Sequence, residues 1–186
     1  MIRAFTGIAL PGSVITALSA AQAGLPSGRP VAPENFHVTV AFLGEHPEPL
    51  IEDIHFALEG IRMATFELSL SGVDLFGNDR PRVLYAAVQP EQELSRLRAK
   101  VRRAARDTGV SFPRERYNPH ATLARFNSGL TGEMAQEMRD FAARRMSFTA
   151  GPFVVSEFLL IRSMLGRTGP VYEQLAAYPL GTGRET

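Results

Sequence analysis

The chain has 186 residues, enough for one domain or two small fused lobes around a sizeable hydrophobic core. Hydrophobic residues make up 45% of it and charged residues 21%, which is an ordinary balance for a globular protein. The net charge of +1 does not by itself indicate a nucleic-acid binder, so a basic site would have to come from local clustering. The absence of cysteine excludes disulfides, thiolate metal ligands and a cysteine nucleophile.

No segment has the pattern of a targeting sequence. The apolar stretch at residues 4–10 is too short for a signal peptide, lacks a long basic flank and stops at Pro11. Nothing in the sequence approaches the ~20 apolar residues of a membrane-spanning helix. We therefore expect a cytoplasmic protein with no membrane association.

Hydrophobic periodicity predicts an alternation of strands and helices along the chain. In the first half the predicted elements are a strand at 2–10, a helix ending at 23, a loop at 24–33, a strand at 36–43, a helix at 49–61 and a strand at 66–76. In the second half they are a strand at 82–88, a helix at 91–108, a strand at 120–126, a helix at 132–145 and strands at 153–163 and 171–180.

The second half of the chain repeats the pattern of the first. Residues 2–11 match residues 81–90, and residues 36–40 match residues 119–123. The two offsets, 79 and 83 (81 − 2 and 119 − 36), differ by four residues, which a difference in loop length explains. Each half then reads strand, helix, strand with a His-x-Thr motif, helix, strand. Two such β-α-β-α-β units related by a pseudo-twofold axis would face their His-x-Thr strands across one cleft.

This duplication also predicts the domain organisation. We expect a single two-lobed domain over residues 1–186, with a first repeat at about 2–76, a second at about 81–163, a final strand at 171–180 and a frayed tail at 181–186.

The two His-x-Thr motifs are the candidate chemistry. Residues i and i+2 of a strand point to the same face, so His37 points with Thr39 and His120 with Thr122. One neutral imidazole can take a proton from attacking water while the other, protonated, gives a proton to the leaving oxygen. Threonine hydroxyls can donate to the non-bridging oxygens of a phosphate, where charge concentrates in the transition state. Such a site needs no metal and no cofactor.

A single histidine on a half-buried strand is usually structural, but the same triplet at matched places in a repeat favours function. The remaining histidines, His46 in a turn and His55 on a helix, are expected to be solvated or locally hydrogen bonded. A metal site is disfavoured because no carboxylate or third histidine stands at ligand spacing near either motif.

Arg125 follows the second motif at the position where the first repeat has Phe42. Strand alternation puts Arg125 on the face opposite His120, unless a bulge at the strand end turns it toward a phosphate; a surface salt bridge is the alternative. The arginines of the predicted helix at 91–108 are expected to form a solvated face rather than a track for RNA.

Four aromatic residues are candidates to stack on a base, although core packing is the commoner role at such spacings: Phe5, Phe42, Tyr85 and Tyr117.

Several separated blocks, in this order, resemble the bacterial and archaeal RNA 2′,3′-cyclic phosphodiesterases, also called 2′-5′ RNA ligase-like proteins, within the two-histidine phosphoesterase superfamily. The blocks are residues 2–11, 34–44, 80–84, 119–125, 163–165 and 169–172. Departures are small: Phe36 and Ala121 stand where the family often has larger aliphatic residues.

The resemblance implies a bilobal α+β fold with antiparallel sheets flanking a central cleft. It implies metal-independent hydrolysis of a ribose 2′,3′-cyclic phosphate to a 2′-phosphomonoester, with His37 as general acid toward O3′ and His120 as general base for water. Thr39 and Thr122 would bind the phosphate, with help from Arg125. Pseudosymmetry alone does not decide which histidine is the acid.

Two other functions fit the same residues. A 2′-5′ RNA ligase would join cyclic phosphate and 5′-hydroxyl ends with the same acid–base pair, and a non-catalytic module would only hold phosphorylated RNA ends. The expected partners are RNA ends or nucleoside 2′,3′-cyclic phosphates, and the expected state is a monomer without an obligatory protein partner.

Overall fold

The computed structural model describes residues 1–89, 92–114, 116–166 and 169–181. The strands are β1 Ile2–Ala9, β2 Arg29–Pro30, β3 His37–His46, β4 Phe66–Phe76, β5 Val83–Val88, β6 His120–Arg125, β7 Thr149–Val155, β8 Glu157–Leu165 and β9 Pro170–Pro179. The helices are α1 Gly12–Gln22, α2 Glu48–Glu59, α3 Gln92–Asp107 and α4 Gly132–Ala143, and a short 3₁₀ turn spans Pro33–Asn35.

The element order follows the sequence prediction, with two differences of substance. The single strand predicted at 153–163 is two strands, β7 and β8, which are separated at Ser156. The strand predicted to end before Gly44 continues to His46, because Gly44 adopts a φ of +97°, which a glycine tolerates without strain. The predicted strand end at Pro90, the predicted helix start at Glu91 and the tail at 182–186 lie outside the described residues.

The strands form one open, antiparallel sheet in the order β7-β4-β5-β6-β3-β1-β8-β9, with β2 paired to β6. The predicted α+β class with antiparallel strands on both sides of a centre is confirmed. The order is symmetric about the β6–β3 junction: by position from the junction, β6 corresponds to β3, β5 to β1, β4 to β8 and β7 to β9. At the junction Val38 and Ala121 are Cα partners, so the two halves of the sheet meet where the His-x-Thr motifs lie.

Each half of the sheet combines elements from both predicted repeats. Strand β4 pairs with β5 and β7, although it follows β3 in the chain, and β8 pairs with β1 and β9. Helices α2 and α3 pack against each other and against the β1–β3 side, while α1 and α4 pack against β4, β6 and β7. Each side of the sheet therefore exchanges strands with the other repeat. The repeat boundaries at 2–76 and 81–163 stay a prediction about the sequence.

The helices bury one face of the sheet. Helix α3 illustrates the reason: Leu94, Leu97, Val101 and Ala105 recur at helical spacing and are buried, whereas most of its arginines lie on the other side. Arg102 is the exception, because it is only 8% exposed and donates to the carbonyl oxygen of Pro113 at 3.1 Å. Val38 and Ala121 are fully buried in this core, so the residues that alternate with them point to the opposite, open face.

Candidate active site

The register of β3 and β6 brings both His-x-Thr motifs to one face. Because Val38 and Ala121 are antiparallel partners that point into the core, the residues on either side of each point away from it. The same register sets His37 across from Thr122 and His120 across from Thr39. Each histidine is thus diagonal to the other, a relation that corresponds to about 7–8 Å between residues of adjacent strands.

A bulge follows the motif in β3. In the pairing with β1, Gly7 faces Thr39 and Thr6 faces Ala41, so Val40 is an extra residue on β3. The extra residue reverses the alternation beyond it. Ala41 is therefore buried, and Phe42 is 59% exposed on the face that carries His37.

Strand β6 has a bulge at the equivalent position. In the pairing with β5, Tyr85 faces Thr122 and Leu84 faces Ala124, so Leu123 is the extra residue. Ala124 is buried and Arg125 is exposed. Arg125 consequently lies on the face of His120 and Thr122, where simple alternation along the strand would not put it.

Each imidazole is oriented by a backbone carbonyl two residues before it. His37 Nδ1 lies 2.8 Å from the carbonyl oxygen of Asn35, and His120 Nδ1 lies 2.8 Å from that of Asn118. A carbonyl oxygen can only accept, so both Nδ1 atoms carry hydrogen. The Nε2 atoms then remain for chemistry, and that of His37 lies 3.1 Å from the hydroxyl oxygen of Thr39.

Aromatic rings hold both imidazoles from the side. The centroid of the His37 ring lies 4.9 Å from that of Phe5 and 5.2 Å from that of Tyr172, which it meets edge to face. The His120 ring lies 4.9 Å from Phe76 and 5.4 Å from Tyr85, in both cases edge to face. This packing restricts the rotation of both catalytic candidates, as pre-organised acid–base groups require.

The environment lowers the pKa of both histidines below the ordinary value of 6.5. For His37 the causes are burial and the positive charges of Arg125 and His120, opposed by the hydrogen bond to Asn35. For His120 they are burial and the charge of Arg125, opposed by the hydrogen bond to Asn118. This environment therefore favours neutral imidazoles, and an anion bound between them would restore the tendency to hold a proton.

Three of the hollows lined by the described residues adjoin the two histidines. The Arg29 hollow, of about 340 Å³, is lined by Arg29, Asn35, His37, Thr122, Arg125 and Tyr172, among others. The Arg3 hollow, of about 610 Å³, is lined by residues that include Arg3, Phe5, His37, Phe42, Arg125 and Tyr172. The His120 hollow, of about 220 Å³, is lined by residues that include Thr39, Phe42, Phe76, Arg116, Tyr117 and His120. Two hollows thus adjoin His37, and one adjoins His120.

The predicted stacking residues differ in accessibility. Phe42 is exposed and lines two hollows, whereas Phe5 is only 3% exposed and packs against His37. Tyr117 donates its hydroxyl to the carbonyl oxygen of Thr39 at 2.9 Å, and its ring faces Arg98 at 4.2 Å. Tyr85 stacks on Phe76 with ring centroids 3.9 Å apart.

Of the other two histidines, His46 makes a local hydrogen bond, as predicted, whereas His55 is bonded to a residue that is distant in the chain. His46 Nε2 lies 2.7 Å from the carbonyl oxygen of Leu43, and His55 Nδ1 lies 2.9 Å from the hydroxyl of Tyr178. Among the described residues, no three histidine, aspartate or glutamate side chains are grouped closely enough to hold a metal ion. In the same part of the chain, no helix is both long and apolar enough to span a membrane.

Comparison with known families identifies the superfamily of this chain. The family model of the 2′-5′ RNA ligase superfamily matches residues 11–167. The chain belongs to this superfamily. Its relatives include the RNA 2′,3′-cyclic phosphodiesterase of Aeropyrum pernix, which is 36% identical with 84% of this chain and 88% of that protein covered. The protein of the same name from Thermus thermophilus is 34% identical, with 96% and 90% covered.

Solved structures similar to this superfamily member have the same fold. One described as a phosphoesterase superimposes with a TM-score of 0.79 and 26% identity, covering 97% of this chain and 99% of that one. Escherichia coli LigT complexed with 3′-AMP superimposes with a TM-score of 0.76 and 26% identity, covering 96% and 98%. The resemblance stated from the sequence blocks is thereby confirmed.

Sequence reasoning missed several residues of the site. Asn35 and Asn118 act through their backbone carbonyls, so their side chains gave no chemical signal, but both stand two residues before a histidine and a closer alignment of the repeats would have paired them. Arg29, Tyr172 and Phe76 approach the cleft from distant strands; residue 172 falls in one of the family-like blocks, but the local sequence gives none of the three a role in the site.

Proposed function

We propose that this superfamily member hydrolyses ribose 2′,3′-cyclic phosphates, at RNA ends or on nucleosides, to 2′-phosphomonoesters. One observation carries the proposal: the Val38–Ala121 register sets two histidines and two threonines on a single open face. The names of the Aeropyrum pernix and Thermus thermophilus relatives support the same reaction. The 3′-AMP complex of Escherichia coli LigT supports a site for ribonucleotides.

In this proposal the phosphorus lies between the two imidazoles. His120 Nε2 takes a proton from water, which attacks phosphorus, and His37 Nε2 gives a proton to O3′ as the bond from phosphorus to O3′ breaks. The 2′-phosphomonoester remains. The hydroxyls of Thr39 and Thr122 donate to non-bridging oxygens, and the guanidinium of Arg125 balances the charge that develops there. The roles of the two histidines follow the family resemblance.

The electrostatics are consistent with a proton that arrives on His37 together with substrate. Burial and the charge of Arg125 lower the pKa of His37, so His37 holds a proton only weakly when no anion is bound. The negative charge of a bound cyclic phosphate opposes that effect and stabilises the imidazolium. Once protonated, His37 Nε2 can donate to the Thr39 hydroxyl, 3.1 Å away, until O3′ requires the proton.

The aromatic residues take different parts. We assign base stacking to Phe42, because its ring is exposed beside His37. Phe5 is buried against the His37 ring and holds it in place, and Tyr117 borders the cleft on the His120 side. A cytoplasmic location and a monomeric state stay predictions from the sequence.

The test is incubation with a nucleoside 2′,3′-cyclic phosphate, with and without chelator, followed by phosphorus NMR of the product. We expect a 2′-phosphate and unchanged turnover after chelation. A 3′-phosphate product would overturn the assignment of the leaving oxygen. Binding of the cyclic phosphate without turnover by the wild-type protein, retained in a His37→Ala/His120→Ala double variant, would establish a binding module instead of an enzyme.

A further inference from the structure

The two strands that carry the histidines separate directly beyond their junction. Within the described part of the chain, the ladder between β3 and β6 has one pair of Cα partners, Val38 and Ala121, whereas β3 pairs with β1 along its whole length. Because β3 and β6 are antiparallel, the residues that follow Val38 run alongside those that precede Ala121. The His120 hollow lies between these two stretches, since residues 39–42 and 116–118 line it. At this hollow the ladder no longer holds the two strands together.

Tyr117 bridges this gap with its side chain. Its hydroxyl donates to the backbone carbonyl oxygen of Thr39 at 2.9 Å, although 78 positions separate the two residues in the chain. A hydrogen bond to a backbone oxygen restrains the strand itself and not only a side chain on it. The bond therefore limits how far β3 and the segment before β6 can move apart.

The Tyr117 ring is in turn held by helix α3. The guanidinium of Arg98 lies 4.2 Å from the ring centroid, a distance typical of a cation–π contact, and α3 also packs against β3. Burial raises the pKa of the Tyr117 hydroxyl, and the charge of Arg98 opposes this effect only in part. The hydroxyl therefore keeps its proton near neutral pH, and the bond to Thr39 persists over that range.

Each end of this hydrogen bond adjoins one of the two histidines. At one end, the Thr39 hydroxyl oxygen lies 3.1 Å from His37 Nε2. At the other end, Asn118 follows Tyr117 directly in the chain, and its carbonyl oxygen lies 2.8 Å from His120 Nδ1. A shift between the two backbones would therefore change the separation of the imidazoles, which must lie on opposite sides of one phosphorus for an in-line displacement.

We propose that Tyr117 is a positioning residue whose hydroxyl sets the spacing of His37 and His120 through the backbone of Thr39. The inference rests on the proposed function, because Tyr117 acts only through the two histidines and transfers no proton itself. Loss of the hydroxyl should leave substrate binding almost intact. It should slow the chemical step, because the two imidazoles are then less well aligned with the attacking and leaving oxygens.

The experiment compares two tyrosines that each lose a hydrogen bond of the same length. Tyr117→Phe removes the hydroxyl and keeps the ring beside Arg98. Tyr178→Phe is the matched control, because the Tyr178 hydroxyl lies 2.9 Å from His55 Nδ1 and neither residue lines any of the three hollows. Turnover of a nucleoside 2′,3′-cyclic phosphate gives kcat and KM, and urea titration reports the folding and stability of each variant.

We expect kcat of Tyr117→Phe to fall by about 10- to 100-fold, with KM within about twofold of the wild type. Tyr178→Phe should keep both constants at the wild-type values. Its urea midpoint should fall by a similar amount to that of Tyr117→Phe, since each variant loses one buried hydrogen bond.

A second comparison shows whether the effect passes through the histidine pair. In a His120→Ala background no pair of imidazoles remains to be spaced, so adding Tyr117→Phe should lower the single-turnover rate by less than about twofold. A further loss as large as that in the wild-type background would show that Tyr117 acts independently of His120, and it would overturn the proposal.

The outcomes separate this inference from the proposed function. If the wild type does not turn over the cyclic phosphate, the proposed function itself is wrong. If the wild type does turn it over but Tyr117→Phe and Tyr178→Phe have the same kcat, the Tyr117 hydroxyl is only structural. If Tyr117→Phe raises KM and leaves kcat unchanged, the hydroxyl serves substrate binding. In both of these cases the positioning role is wrong and the hydrolase stands.

Discussion

Strands β3 and β6 present nearly the same constellation from two distant parts of the chain. In both, an asparagine carbonyl holds the histidine Nδ1 at 2.8 Å, a threonine follows on the same face, and a bulge turns the next side chain to that face. They differ in that side chain, which is Phe42 in β3 and Arg125 in β6. The acid–base groups are therefore almost symmetric, while the charge around them is not.

This difference makes the two sides of the cleft chemically unequal. A symmetric pair of imidazoles would treat either face of a phosphorus atom alike, so the neighbours must decide which histidine serves the leaving oxygen. Arg125 lines both hollows that adjoin His37, whereas Phe42 borders both the Arg3 hollow and the His120 hollow. Of these two equivalent residues, the charged one therefore lies with the hollows that adjoin His37, and the neutral one also borders the His120 hollow.

The largest effects are expected from the histidines themselves. His37→Ala and His120→Ala should each lower kcat/KM by roughly 10²–10⁴-fold, the usual contribution of a general acid or base. A substrate with sulfur in place of O3′ separates their roles, because a thiolate leaves without a proton. With that substrate the His37→Ala variant should recover most of its rate and His120→Ala should not. Equal recovery in both variants would contradict the assigned direction.

The two motifs and the strand faces that carry them could be predicted from the sequence because their signals are local, and the repeat then predicted that they meet. A His-x-Thr triplet that occurs twice, each time in a short apolar run, predicts two strands and two outward faces without any knowledge of pairing. The side taken by Arg125 is different. It depends on the extra residue at Leu123, which exists only relative to β5, so the sequence could allow for a bulge but could not locate it.

The exchange of strands between the two sides was also beyond local reasoning. The break at Ser156 was hidden because the polar pair Ser156 and Glu157 is short and apolar residues flank it on both sides. That break lets β7 pair with β4 and β8 pair with β1. Pairing of this kind is decided by long-range packing, which periodicity within one segment does not report.

Arg125 is the residue that breaks the symmetry, and its replacement should change the pKa of both histidines. Arg125→Gln should lower kcat/KM by about 10- to 100-fold, because a charged contact to the phosphate is lost. Since the charge of Arg125 lowers the pKa of His37 and of His120, its removal should raise both. The whole pH profile of kcat/KM should then move to higher pH.

Proton NMR titration of the imidazole rings, in the wild type and in Arg125→Gln, measures the pKa values of both histidines independently of turnover. Phe42→Leu is the control at the equivalent position of the other strand, since it removes no charge. If the pKa of only one histidine rises in Arg125→Gln, the charge of Arg125 does not act on both histidines.

The smallest expected effect is on stability, and it follows from the same electrostatics. The folded protein lowers the pKa of both histidines below 6.5, so at pH below that value the unfolded chain binds more protons than the folded one. The free energy of unfolding should therefore fall as the pH drops from 6.5 toward the folded-state pKa values, and these two groups contribute no such loss above 6.5. Urea titrations at pH 7.5 and pH 5 measure the difference. Arg125→Gln should show a smaller loss than the wild type, because its histidines have pKa values nearer to those of the unfolded chain. An equal or larger loss in this variant would mean that burial alone, and not the asymmetric cation, controls protonation in the cleft.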